Sequence, residues 1–258
     1  MSKPKIIIFD LEILCNPVAI RDNWFRVYSP YKNNGFSPEL SSVLCIGWKD
    51  LEQKNVNCIN AWNFKSWKKD KNDDREVLKA FYEVAKDADC VITHNGKKFD
   101  LPFLNSRLML HGLKPLLFDK HIDTKNISSR NLKLISNSLG SVAQFFRTQG
   151  KVDSGGQELW NSVHAGNKKA LNKMEYYCKH DIKATEGIFK KLRPFIKNIP
   201  NYNLFGENPN PICPNCGENK LHKHGVRRTR TTLQQRYLCQ ACGSISTTAG
   251  KSPIPRSL

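Results

Sequence analysis

The sequence predicts an α/β domain, a mixed sheet flanked by helices, followed by a small cysteine-bearing module. Short apolar, strand-like runs dominate the first half of the chain, and helical periodicity dominates the second. Strands that first meander and then alternate with helices describe a mixed sheet covered by helices. Two Cys-x-x-Cys pairs lie close to the C-terminal end, beyond a stretch interrupted by prolines.

Lys5–Asp10 reads as a buried strand, three isoleucines and a phenylalanine ending in a carboxylate. Residues 16–41 carry several Asn, Pro and Ser and read as loop. Trp24, Phe25, Tyr28 and Tyr31 are available to pack within that loop. Val43–Lys49 and Val56–Trp62 read as two strands joined by a polar turn, hence an antiparallel hairpin. Asp73–Asp87 has helical periodicity, with Val77, Leu78, Phe81, Val84 and Ala85 on one stripe and Asp73 as cap. Cys90–Thr93 is a short buried strand, Asp100–His111 a helix stopped by Gly112, and Leu116–Asp123 the last strand. Ser141–Arg147 reads as a short helix and Asn167–Lys197 as one long or two abutting helices. Residues 198–211, with three prolines and one glycine, read as a linker. The predicted division is therefore 1–197, 198–211 and 212–258, with no internal repeats.

A chain of 258 residues suits one ordinary domain plus something small. No apolar run approaches the length of a transmembrane helix, and the first strand is too short for a signal peptide. A soluble, cytoplasmic protein with no membrane partner is expected. The net charge of +18 favours a polyanion, with nucleic acid the default and a basic surface kept for solubility the ordinary alternative. Cys15, Cys45, Cys58, Cys90 and Cys178 are scattered and read as buried reduced thiols.

Three local patterns carry chemistry. In Asp10-Leu11-Glu12, residues two apart on a strand share a face, so two carboxylates converge at a strand end. Two close anions are costly without a cation, though a solvated strand end gives the same pattern. Asp100 closes the loop His94-Asn95-Gly96-Lys97-Lys98-Phe99, where a loop enters an apolar helix. A helix N-cap is the simpler reading there, and phosphate binding at a helix N-terminus the functional one. Tyr177 and Asp181 are four apart on a predicted helix and share one face, which also suits an inert surface pair.

In this order, Asp-x-Glu, Asn-x-x-x-Phe-Asp and Tyr-x-x-x-Asp, the patterns resemble the DnaQ-like 3′–5′ exonucleases of the RNase H-like fold. The branch is the one ending in Tyr-x-x-x-Asp (DEDDy), as in the proofreading domains of family B DNA polymerases. The resemblance spans roughly residues 5–197 and includes His121-Ile122-Asp123-Thr124 as the strand after the second motif. It implies two Mg²⁺ or Mn²⁺ ions. Asp10 would bridge both. Glu12 and Asp181 would serve the ion of the attacking water, Asp100 the second ion, and Tyr177 would position the nucleophile. The branch using histidine places it five residues before the last Asp, where this chain has Tyr176. Asn95, Lys97 and Lys98 are candidate substrate contacts, or a plain polar loop. Trp62, Phe64 and Trp67 among Lys65, Lys68 and Lys69 read as a packed strand edge, with a stacking platform for single strands as the alternative. Asp123 assists near the metals or caps the segment after it.

Cys213-x-x-Cys216 and Cys239-x-x-Cys242, each followed by glycine, give the thiolate set of one structural Zn²⁺. His222 and His224 then read as surface residues. The segment between the knuckles, with Arg227, Arg228 and Arg230, reads with Arg236-Tyr237 as a two-stranded hairpin bearing cations on one face. It resembles the zinc ribbons of insertion-element transposases. Phosphate contacts, or a protein partner, would use it. The expectation is a 3′–5′ exonuclease, with DNA favoured over RNA and a phage or mobile-element origin. A non-catalytic nucleic-acid adaptor and a transposase-like endonuclease are the alternatives.

Overall fold

The computed structural model describes residues 3–15, 20–21, 27–28, 41–150, 156–205 and 211–248. Most of the predicted loop 16–41, with the aromatic side chains assigned to it, lies outside these residues. Contacts divide the chain into two units, Lys5–Ile188 and Phe189–Leu258 with Met1–Pro4.

In the first unit, β1 (Ile6–Cys15), β4 (Ser41–Asp50), β5 (Asn57–Asn60), β6 (Cys90–Thr93) and β7 (His121–Asp123) form one sheet in the order β5-β4-β1-β6-β7. β1, β4 and β5 are antiparallel neighbours, which is the hairpin expected for the second and third strands. β6 and β7 run parallel to β1. Among the described residues, the short β2 (Ile20–Arg21) and β3 (Val27–Tyr28) pair only with each other. The helices are α1 (Lys65–Lys69), α2 (Arg75–Ala85), α3 (Asp100–Leu110), α4 (Thr124–Asn131), α5 (Leu139–Phe145), α6 (Gly156–His164) and α7 (Lys168–Leu192). Among the described residues no helix is long and apolar enough to cross a membrane.

Alternation along β1 sends Ile7, Phe9, Leu11 and Ile13 into a core with Val77, Leu78 and Phe81 of α2 and Leu104 and Leu108 of α3. Phe9 and Phe81 meet with ring centroids 5.3 Å apart. Gly47 of β4 admits α7 at close range. A Cβ there would stand 2.8 Å from Cys178 Sγ and 3.1 Å from the Cys178 carbonyl oxygen.

Several element boundaries differ from expectation. β1 continues five residues past Asp10 because β4 pairs with it to Cys15 through a bulge at Glu12/Ile13. The strand expected at 116–123 shrinks to its last three residues. Leu116 bonds instead to the Asn105 amide in both directions, at 2.8 and 3.0 Å. The strand expected at 56–62 ends at Asn60, and Ala61–Asn63 turns into a 3-10 helix. Trp67 is buried in α1, not on a strand edge, while Trp62 and Phe64 pack partly against the core. Asp73 does not head the second helix, which starts at Arg75. At its N-cap the Asp74 carboxylate accepts from Val43 N–H (2.7 Å) and the Arg107 guanidinium (2.7 and 2.9 Å).

In the second unit, β8 (Leu221–Arg228), β9 (Leu233–Cys239) and β10 (Ile245–Thr247) form a three-stranded antiparallel sheet, one strand more than the expected hairpin. Arg227 and Arg228 are consecutive on β8 and point to opposite faces, so Arg228 departs from the single cationic face expected, whereas Arg227 and Arg236 line one cavity. Within 198–211, Tyr202–Leu204 makes a 3-10 turn and Tyr202 is buried against Gly217, where a Cβ would stand 2.8 Å from the ring. The prolines leave this turn intact because none falls inside it.

Candidate active site and metal centre

β6 pairs with β1 only from Ile6 to Ile8, because the chain leaves β6 at Thr93 for the loop that leads to Asp100. Among the described residues, that edge of β1 has no strand partner beyond Ile8, and its amides need other acceptors. Asp100 supplies one, its Oδ1 accepting from Leu11 N–H at 3.1 Å. Asp100 is therefore no helix cap. It is the first residue of α3, follows Phe99 at the N-cap, and is buried against β1. Burial pushes its carboxyl up to about 7, against the pull of the Leu11 N–H.

The loop before Asp100 is held by Asp123, the N-cap of α4. Its carboxylate accepts from Asn95 N–H (3.0 Å), Lys97 N–H (3.1 Å), Lys125 N–H (3.0 Å) and Asn126 N–H (3.2 Å). Asn95 sits at φ 75° and starts the tight turn. Gly96 fits where a Cβ would lie 2.4 Å from the Thr93 hydroxyl. His94 Nε2–H donates to the Asn137 carbonyl at 3.0 Å.

These elements close a cavity of about 240 Å³ lined by Asp10, Glu12, Asp100, Asp181, Tyr177, Asn95, His94, Phe99, Leu11 and Leu139. All four predicted carboxylates and the predicted tyrosine are thus brought together. Among the described residues no Lys or Arg lines the cavity. Burial, then the carboxylates of Asp181, Glu12 and Asp10, hold the Tyr177 phenol well above its usual range, so it stays a hydrogen-bond donor. Four carboxylates converging without a cationic side chain suit hard divalent cations. Lys97 and Lys98 do not line the cavity. His94 and Leu139 were missed in the sequence. His94 adjoins the second motif and carried that signal, whereas Leu139 lies on a helix whose placement no local pattern reveals.

In the second unit, the sulfurs of Cys213, Cys216, Cys239 and Cys242 all lie within 4.8 Å of one another. The Cys213–Cys242 and Cys216–Cys239 separations are both 3.7 Å. A tetrahedron with Zn–S arms of about 2.3 Å has edges near 3.8 Å, so zinc fits this set. Gly217 and Gly243, at φ 76° and 72°, donate back to the Cys213 and Cys239 carbonyls at 2.8 Å. Arg227, Arg228 and Arg230 are exposed, as are His222 and His224. Arg227 and Arg236 also line a cavity of about 840 Å³ with Phe195, Lys197 and Ile199.

The chain belongs to the RNase_H superfamily, matching it over residues 33–193. It is similar to the DNA polymerases of Thermococcus litoralis and Thermococcus aggregans, each 24% identical over 177 residues. Those matches take in 58% of this chain and 9% of each relative, so the chain spans about a tenth of the length of either. Its fold is like that of the family B DNA polymerase from the hyperthermophilic archaeon Pyrobaculum calidifontis. The TM-score is 0.56 at 16% identity, over 89% of this chain and 32% of that one. The superfamily match supports a nuclease in general terms.

Proposed function

We propose that the protein is a 3′–5′ exonuclease that removes nucleotides from DNA in preference to RNA. The reading rests on one observation above the others. Residues drawn from β1, α3 and α7 place four carboxylates and a neutral phenol around a single small cavity. Two Mg²⁺ or Mn²⁺ ions held by Asp10, Glu12, Asp100 and Asp181 would supply the Lewis acidity that activates water and stabilises the leaving 3′ oxygen. Asp10 and Glu12 point the same way from one strand, and the Leu11 N–H between them fixes Asp100 beside them. Tyr177 donates its O–H to orient the water, four residues before Asp181 on the same helix face. Asn95, Lys97 and Lys98 lie on the loop at the cavity and would meet the substrate backbone.

The C-terminal unit is a zinc ribbon in this proposal, Cys213, Cys216, Cys239 and Cys242 holding one structural Zn²⁺. Arg227, Arg228 and Arg230 would contact phosphates, and the unit holds the polymer whose end is trimmed. Residues 1–197 would carry the exonuclease, 198–211 link it, and 212–258 form the ribbon.

The test uses 3′-labelled and 5′-labelled single strands of DNA and RNA with Mg²⁺ or Mn²⁺. Single nucleotides are released from the 3′ end, and Asp10→Ala and Asp181→Ala abolish release. Internal cuts would indicate a transposase-like endonuclease. Binding without cleavage would indicate an adaptor.

A further inference from the structure

The geometry points to a second thiolate metal site, made by Cys45, Cys58 and Cys178, that takes a thiophilic divalent cation such as Zn²⁺. It does not depend on the nuclease reading. The three residues are far apart in sequence, on β4, β5 and α7, yet their sulfurs all lie within 4.8 Å of one another.

The register explains the convergence. Cys45 pairs with Asn60 across β4 and β5, and Gly47 pairs with Cys58. Directly opposed residues share a face, so Cys45 and Cys58 project from the sheet side that carries Gly47. Gly47 is where α7 comes close, and the side chains that a Cβ there would meet are Cys178, at 2.8 Å, and Ile182, at 3.0 Å. The three thiols therefore cap the contact between helix and sheet. Cys45 and Cys178 are fully buried and Cys58 is half-buried, which leaves one side for entry.

The donor chemistry is soft, and the spacing is close to what it needs. Thiolates around a tetrahedral zinc stand about 3.8 Å apart, so the cluster has to contract by at most about 1 Å. An amide oxygen lies beside one of the three thiols. The Asn60 Oδ1 accepts from the Cys58 thiol at 3.0 Å, and the Asn60 amide N–H is anchored on Glu175 at 2.7 Å. A disulfide between Cys45 and Cys58 is disfavoured. They are diagonal across the strand pair, a separation of about 7–8 Å between Cα atoms, longer than a disulfide accepts.

Binding would replace three thiol protons with the cation, releasing them to solvent. It would fix α7 to β4 and β5. The Cys178 sulfur also lies within 4.8 Å of the Asp10 and Glu12 carboxylates, so the soft site and the oxygen site share a wall. Two cations of different chemistry would thus sort by ligand, the soft one to sulfur and Mg²⁺ to oxygen.

The full reduced chain, stripped by a chelator, is titrated with Zn²⁺ or Cd²⁺ in excess Mg²⁺, and alkylation of Cys58 is followed by mass spectrometry. Either cation slows Cys58 alkylation by about tenfold or more, because a metal-bound thiolate no longer reacts freely. Elemental analysis finds a second thiol-dependent equivalent of zinc, which Cys58→Ala removes. Cys213→Ser loses the other equivalent and leaves Cys58 protected. Equal alkylation of Cys58 with and without cation overturns the proposal. So does a zinc content that Cys58→Ala leaves unchanged, or a disulfide to Cys178 in place of the metal.

Discussion

Asp123 offers the sharpest separation between a residue that positions the site and one that takes part in it. Asp123 is 3% exposed, and its carboxylate accepts four backbone N–H groups, two from the loop at Asn95 and Lys97 and two from the first turn of α4. Asp123→Ala removes a helix cap, about 1 kcal/mol. It also removes two bonds to a charged acceptor, roughly 1.5 kcal/mol or more each. The expected loss of stability is about 3 to 5 kcal/mol, read as a shift in urea midpoint. Asp123→Asn keeps Oδ1, which serves Asn95, Lys125 and Asn126, and turns an amide N–H toward Lys97 N–H. It should cost less than half as much. Once the loop shifts, Asp100 shifts with it, and a misplacement near 1 Å costs about a hundredfold in rate. The assay is 3′ nucleotide release by both variants, with Asp181→Asn alongside. Asp123→Asn should stay within about tenfold of the parent while Asp181→Asn is inactive. If Asp123→Asn folds normally yet is as inactive as Asp181→Asn, the charge itself takes part and the positioning role is refuted.

Gly47→Ala puts a methyl group 2.8 Å from Cys178 Sγ and 3.1 Å from a backbone oxygen that cannot rotate away. It should destabilise by about 1–3 kcal/mol and slow nucleotide release as α7 is displaced, measured by urea unfolding and by the release assay. His121 is half-buried, its Nε2 2.8 Å from the Thr93 hydroxyl, and burial, with Lys97 adding to it, lowers its pKa from 6.5 to about 4. Its contribution to stability is complete above pH 6.5 and is lost as the pH falls toward 4, up to roughly 3 kcal/mol. Urea unfolding at about pH 7 and about pH 4.5 should show that loss, and His121→Gln should show a smaller one. Replacing Arg227, Arg228 and Arg230 together with Ala should weaken nucleic-acid binding and lower the slope of log affinity against log salt by roughly 2 to 3, measured by a salt series.

The sheet and the acidic site were legible because their signals are local. Ile6–Phe9 and Cys90–Thr93 are dense β-branched runs, and the offsets within Asp10-x-Glu12 and Tyr177-x-x-x-Asp181 determine which side chains share a face. What escaped depends on partners distant in sequence. Asp74 looks like an unused neighbour of a cap, yet Arg107, 33 residues on, and Val43, 31 residues back, claim its carboxylate. Leu116 and Leu117 read as strand, but the Asn105 amide satisfies the Leu116 backbone and Leu117 is left 82% exposed. Cys45, Cys58 and Cys178 read as unrelated thiols because only the pairing of β4 with β5, and the missing Cβ at Gly47, bring them together.

Under the proposed function, the distribution of charge would order the events at the site. The chain carries +18 overall, a field that draws a polyanion to its surface. The cavity opposes that field, lined among the described residues by four carboxylates and no Lys or Arg. A phosphate approaching them without a cation meets repulsion at short range, where water no longer screens it. Under the proposed function, surface attraction alone would bring nucleic acid near the protein but not its phosphodiester into the cavity. On the proposed reading, the polymer binds the basic surface with or without Mg²⁺, while a 3′ end enters the carboxylate cavity only with the divalent ions. Equilibrium binding in a chelator should then depend on salt and on the arginines of the C-terminal unit and be indifferent to Asp10→Ala. Adding Mg²⁺ should introduce a preference for strands with a free 3′ terminus that Asp10→Ala abolishes. A 3′-end preference that persists in the chelator would show that the cavity recognises its substrate without cations and would break the link between charge and order of binding.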